Sequence, residues 1–305
     1  MFWHMMRRPL DLHRNLQLFL SYSLGTAVIA YAQGAIEWSA YFLGLLVLVS
    51  LSITMKLVEQ FFFPEAALLE TLQKSLKLDQ ARKPGDGIII DRPRYMLLLL
   101  AMPFLLLFLM SLWTLFSSGA MTGSALVMVL MIAFLNALAN FPPLHLSQSK
   151  FRDLIDGAAL ILFPAGFGNL LQSEMVIDLS LILSLSLLML FFALRIVLGL
   201  ESYDEDERLE RDTFLHAVGW ERGMKAHNIL LLVAFFIPAL ALVLFDFPLE
   251  LFWPLLLAFA VAVTQLVQMV RIHNGAPVNW RLLRFTAYAS FYLFVYLNLL
   301  TLLIR

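Results

Sequence analysis

Cysteine is absent from all 305 residues. That excludes disulfide staples, thiolate nucleophiles and thiolate metal sites, and it leaves the redox compartment open. Charge is scarce as well: 14% of residues are charged, 61% are hydrophobic, and mean hydropathy is +0.83. A soluble domain of this length does not need so much apolar surface. A net charge of −1 leaves no electrostatic footprint for DNA or RNA, so no nucleic acid is expected as a partner. No P-loop, dinucleotide fingerprint or nucleophile–base pattern occurs. His145 and His216 are single imidazoles without metal-ligand spacing.

What fills the chain is apolar runs of about 20 residues, the length of a membrane-crossing helix. Backbone in lipid must satisfy its own hydrogen bonds, so such runs are helices. Nine are expected: Asn15–Ala32, Tyr41–Phe62, Tyr95–Phe116, Met121–Asn140, Leu154–Gln172, Val176–Leu200, Asn228–Phe245, Leu249–Val270 and Leu283–Ile304. Pro103 and Pro238 fall inside spans, and Pro164-Ala-Gly-Phe-Gly168 is expected to break the fifth. The basic start and Ala30-Tyr-Ala32 have the outline of a signal peptide. Cleavage there would leave the second span without the partner that fixes its orientation, so the first run is taken as a span. The fold class is therefore all-α, a polytopic membrane protein with nine helices in one bundle and a cytoplasmic N-terminus, residues 1–305 forming one domain.

Orientation follows from charge. With the N-terminus inside, the cytoplasmic side holds the first segment and the loops 63–94, 141–153, 201–227 and 271–282, and of 21 Lys and Arg only Arg305 lies opposite. Lys56, Arg195 and Arg284 sit within spans near cytoplasmic ends, where they can snorkel. Trp3, Trp220 and Trp280 mark the inner boundary, and Trp38, Trp113 and Trp253 the outer one. Chemistry on a charged reactant belongs at the cytoplasmic mouth.

There the chain concentrates acid: Glu201, Asp204, Glu205, Asp206, Glu207, Glu210 and Asp212 fall within twelve residues. As a helix, this stretch pairs Asp204 with Arg208 and Glu207 with Arg211 at i,i+4 and is a solvated loop. Alternatively two or three of its carboxylates bind Mg²⁺, which bridges carboxylate and phosphate oxygens. Lys56 and Glu59 form an i,i+3 pair at the end of the second span. The loop after it carries Lys74, Lys77, Arg82, Lys83, Arg92 and Arg94, either ordinary positive-inside charge or a cap that holds diphosphate. Asn136, Asn140, Gln265, Gln268 and Asn298 are uncharged polar residues inside spans, suited to joining helices, with a lining role open to Gln265 and Gln268.

The stretch Asp206-Glu-Arg-Leu-Glu-Arg-Asp-Thr213-Phe-Leu-His-Ala-Val-Gly219 resembles the second aspartate-rich motif of the UbiA superfamily of intramembrane prenyltransferases, D-x-x-x-D-x-x-x-G-x-x-T-L-x-V-x-x-G. Asp206, Thr213 and Gly219 match; Ser202 stands at the first aspartate and Glu210 at the inner glycine. Asn140-Phe-Pro-Pro-Leu-His-Leu-Ser-Gln-Ser-Lys150 resembles that family's Y-S-x-P-P-L-R-L-K segment through Pro142, Pro143, Leu144 and Leu146, with Lys150 and Arg152 as downstream basic residues. The first motif, N-D-x-x-D, departs: Glu59 stands at the asparagine, Gln60 and Phe63 at the aspartates.

The resemblance implies a site. Asp204, Asp206 and Glu201, with one oxygen from Glu59, are the expected Mg²⁺ ligands. Lys56, Arg92, Lys150, Arg152 and Arg211 are the expected diphosphate contacts. The implied reaction moves a prenyl group from a prenyl diphosphate to an aromatic or other lipophilic acceptor, within the lipid bilayer. The loss of the first motif keeps a second function open, a homologue that binds an isoprenoid lipid or a partner protein without transfer. A transporter is disfavoured, because no charge is placed near mid-membrane.

Overall fold

A computed structural model describes residues 12–63, 92–141, 146, 149–208, 213–244 and 248–304. Every regular element among them is a helix. In chain order they are α1 (Leu12–Gln33), α2 (Trp38–Phe62), α3 (Arg92–Ser117), α4 (Gly123–Asn140), α5 (Arg152–Leu170), α6 (Asp178–Glu201), α7 (Tyr203–Arg208), α8 (Phe214–Val218), α9 (Trp220–Leu244), α10 (Leu249–His273) and α11 (Trp280–Ile304). Among the described residues eight helices, α2–α6 and α9–α11, are long and apolar enough to cross a membrane. The chain is an all-α, multi-pass membrane protein. The remaining long helix, α1, has 22 residues but opens with His13, Arg14, Asn15 and Gln17.

Helices α1, α5, α6 and α11 form the middle of the bundle. Helix α5 packs on α1, α4 and α6, and α11 on α1, α6 and α10. Helix α5 is the most enclosed span and α3, which lies against α2, the least. Water is not available to drive helix association in lipid, so close packing must supply it. The α1–α5 seam shows how. A Cβ on Gly25 would strike the backbone carbonyl of Ala165, and one on Gly168 would strike the carbonyl of Tyr22. Into the gap between α1, α2 and α5 goes Tyr22, which is fully buried, stacks at 5.4 Å on Tyr41 and donates its hydroxyl to the Tyr41 carbonyl at 2.9 Å. Thr26 donates to the Gly168 carbonyl at 3.3 Å.

That seam corrects one expectation. Pro164-Ala-Gly-Phe-Gly168 does not break the fifth span. Helix α5 runs through it, with a five-residue π-helical turn, Ala158–Leu162, just before Pro164. Proline has no N–H for the usual i→i−4 bond, and the wider turn absorbs the mismatch without opening the backbone to lipid. The small residues serve packing. Similarly, α9 starts at Trp220, two turns before the expected Asn228, and α3, α9 and α10 continue through Pro103, Pro238 and Pro254.

Candidate functional site at the charged end of the bundle

One end of the bundle gathers the start of α1, the end of α2, the start of α5, the end of α6 and the start of α11. Its centre is Asp156, on the first turns of α5 and 7% exposed. Arg14 of α1 reaches it through one terminal nitrogen at 3.2 Å, and the other terminal nitrogen donates to Asn136 Oδ1 of α4 at 2.8 Å. Asn136 turns its own amide back onto the Ile132 carbonyl at 2.8 Å. Arg152, one turn before Asp156, approaches the other carboxylate oxygen through Nε at 3.6 Å. One turn away, Asp153 accepts from Arg195 Nε of α6 at 2.6 Å. Arg195 and Lys56 also act on Asp156 electrostatically, so four cations belong to this cluster. A carboxylate this enclosed costs several kcal/mol to desolvate unless it is paired, and several pairs converge here.

Local sequence explains the placement. Asp153 and Asp156 sit at i,i+3 and share a face of α5. Gly157 lets α6 approach, since a Cβ there would meet the side chains of Leu188 and Phe192 at 2.8 Å.

The expected metal ligands do not gather. Glu201 is held by Arg284 of α11, whose Nη1 donates to both carboxylate oxygens at 3.0 and 3.3 Å. Asp206 is 7% exposed and accepts from Ser202 Oγ at 2.9 Å. Asp204 is exposed on α7. Glu59 pairs with Lys56 at 2.7 Å, as the i,i+3 spacing predicts. Among the described residues no three His, Asp or Glu side chains converge where a metal could sit. Gln60, at the position of a motif aspartate, is 4% exposed and its Oε1 has no partner. The described residues therefore do not fit a carboxylate clamp for Mg²⁺.

Of the expected diphosphate contacts, Arg152 joins the Asp156 cluster with its side chain half exposed, and Lys56 lies beside it. Lys150 is exposed, its amine 5.6 Å from the centre of the Phe151 ring. Arg211 and the side chain of Arg92 lie outside the described residues, as do His145, Glu210, Asp212 and the loop 64–91.

The described residues between α6 and α9 form two short helices, α7 and α8, and aromatic contacts link them to each other and to α9 and α11. Tyr203 stacks on His216 at 4.4 Å, its edge meets Trp220 at 5.6 Å, and Trp220 meets Trp280 at 6.0 Å. Thr213 caps α8 and its hydroxyl lies 2.8 Å from His216 Nδ1. Leu215 wedges between Gly199 of α6 and Gly223 of α9. The motif glycine, Gly219, ends α8 at φ +87°, ψ 156°, a conformation that side chains with a Cβ resist.

Deeper, His227, Gln265 and Ser290 join α9, α10 and α11. The Gln265 amide donates to His227 Nε2 at 2.9 Å, which leaves His227 Nδ1 as the donor to Asn228 Oδ1 at 3.0 Å. Ser290 donates to Gln265 Oε1 at 3.3 Å. Gln265 is 1% exposed, so it joins helices and lines no opening.

No protein-family model and no curated protein matches the chain. Solved structures do. A digeranylgeranylglyceryl phosphate synthase superposes with a TM-score of 0.64 at 14% identity, over 96% of this chain and 99% of that one. A UbiA homologue from Archaeoglobus fulgidus bound to Cd²⁺ superposes with a TM-score of 0.56 at 17% identity, over 95% of this chain and 99% of that one. The chain has the UbiA fold. The homologue bound to GPP and Mg²⁺ gives 0.50 at 13% identity, over 96% and 100%. At these identities the likeness is one of fold, and in this UbiA fold the charged end is organised by residues that the sequence motifs do not name. Arg14, Asp153, Asp156 and Arg195 were legible only as ionisable residues within or beside apolar spans, itself a functional signal in membrane proteins.

Proposed function

We propose that this UbiA-fold protein binds a prenyl diphosphate, head group at the charged end and tail among the helices, and transfers the prenyl group to a lipophilic acceptor. One observation carries the proposal: at one end of an otherwise apolar bundle Arg14 and Arg152 pair with Asp156, Arg195 pairs with Asp153 one turn away, and Lys56 pairs with Glu59. A diphosphate matches guanidinium groups in charge and geometry. A UbiA homologue of the same fold binds GPP, which supports the substrate class. Charge is then held by the cations as the allylic C–O bond lengthens, and the apolar surroundings keep water from the developing carbocation. No step is assigned to Mg²⁺, because the described carboxylates do not form its site. The Lys and Arg distribution supports nine spans, α1 included, with this end in the cytoplasm.

Binding without transfer is the second reading, and a specific observation favours it. Glu59, Asp153, Asp156 and Glu201 are all engaged by neighbouring cations. The test is geranyl diphosphate binding to detergent-purified protein, followed by diphosphate release with a panel of lipophilic acceptors. Saturable binding with release supports transfer. Binding with no release across the panel supports the second reading, and no binding contradicts the transfer reading.

A further inference from the structure

The four cations around Asp156 are not equivalent in how they are held, and the difference assigns roles. Arg14 spends both terminal nitrogens on Asp156 and Asn136, and Lys56 directs its amine at Glu59. Arg152 and Arg195 are engaged differently. Each meets its carboxylate through Nε, Arg152 with Asp156 and Arg195 with Asp153, which leaves two terminal amino groups on each guanidinium for another acceptor. Both side chains are part-exposed, 49% for Arg152 and 28% for Arg195. They share one neighbourhood, since Asp156 pairs with the first and lies in the field of the second. Four cations against three carboxylates (Glu59, Asp153, Asp156) leave the cluster net positive.

We propose that Arg152 and Arg195 form a metal-independent site for a phosphate or diphosphate group, with Asp153 and Asp156 as positioning residues that hold the two guanidiniums by Nε. This rests on the prenyl-diphosphate reading and deepens it. The anion is recognised by two forks of N–H donors, where carboxylate-bound Mg²⁺ would otherwise stand. A planar fork, pre-oriented by its Nε contact, meets phosphate oxygens in pairs. A lysine keeps the charge and loses that geometry.

The experiment is equilibrium binding of geranyl diphosphate and of inorganic pyrophosphate to the full-length protein in detergent, in Mg²⁺ and in EDTA. Wild type is compared with Arg195→Lys, Arg152→Lys, Asp153→Asn and Asp153→Glu, and thermal stability is measured in parallel. Both ligands are expected to bind in EDTA within about threefold of their affinity in Mg²⁺. Each lysine variant is expected to weaken binding roughly tenfold, the scale of one charge-assisted contact. Asp153→Asn should weaken binding and Asp153→Glu restore it, which a purely structural role would not require. Should Arg195→Lys fail to fold, Arg152→Lys, at a half-exposed position, carries the test alone. Binding that requires Mg²⁺, or lysine variants that bind like wild type, overturns the metal-independent site while leaving the prenyl-diphosphate reading intact. Absence of binding in both conditions removes that reading and this site with it.

Discussion

Arg14 and Asp156 lie 142 positions apart in the chain and 3.2 Å apart in the fold, and their ion pair closes α1 onto α5 at the charged end. The same arginine ties α4 through Asn136. Three helices therefore meet on one guanidinium. Removing the carboxylate takes the counter-charge from a largely enclosed guanidinium. Asp156→Ala is expected to destabilise the protein by on the order of 3 kcal/mol, seen as a lower midpoint of thermal unfolding in detergent. Adding Arg14→Met should recover a large part of that loss. If the double variant is as unstable as the sum of the singles, the pair is not coupled.

The α1–α5 seam makes a sharper prediction. Gly25→Ala and Gly168→Ala each place a methyl against backbone that cannot yield, whereas Gly166→Ala faces only the Met128 side chain at 3.6 Å. The first two should each cost about 1–3 kcal/mol, and the third should be neutral within error. Size-exclusion profiles and unfolding midpoints of the three variants decide it.

The His227–Gln265–Ser290 chain is satisfied in one direction only. Gln265→Leu removes the donor to His227 Nε2 and the acceptor for Ser290. A loss of about 1 kcal/mol is expected, the scale of hydrogen bonds between membrane helices. Ligand affinity should not change, because Gln265 is enclosed among α9, α10 and α11. A selective loss of affinity at unchanged stability would contradict its assignment as a helix-joining residue.

Gly219 ends α8 in a conformation nearly reserved for glycine. Gly219→Ala should cost about 1–3 kcal/mol locally and loosen the contacts of α7 and α8. Limited proteolysis is the measurement, with faster cleavage expected between α6 and α9 and unchanged cleavage elsewhere.

Much of the fold could be read from the chain because lipid imposes a coarse rule. About 20 apolar residues make a span. Seven of the eight apolar helices accordingly begin and end near the expected residues, while α9 starts two turns early at Trp220. Pro164 and Gly168 misled because composition alone does not separate a break from a packing seam; Tyr22, distant in sequence, decides it. The candidate site was less legible. The acidic stretch drew attention by charge density, yet Glu201 is committed to Arg284 and Asp206 to Ser202. Asp156 is a single carboxylate in an apolar run, and its partners Arg14 and Arg195 come from helices distant in sequence. Spacing along one helix predicts pairs such as Lys56 with Glu59, and a network across four helices leaves no such trace.

The claim that the charged end receives the diphosphate is tested most directly by photo-crosslinking. A geranyl diphosphate analogue carrying a diazirine on its first isoprene unit would be irradiated with the purified protein and the adducts mapped by mass spectrometry. Adducts on the Arg14 end of α1, the Asp156 end of α5 and the Arg195 end of α6, suppressed by excess geranyl diphosphate, are the expected result. Labelling that excess ligand does not suppress, or suppressible labelling confined to the exposed face of α3 or the far end of the bundle, would contradict it.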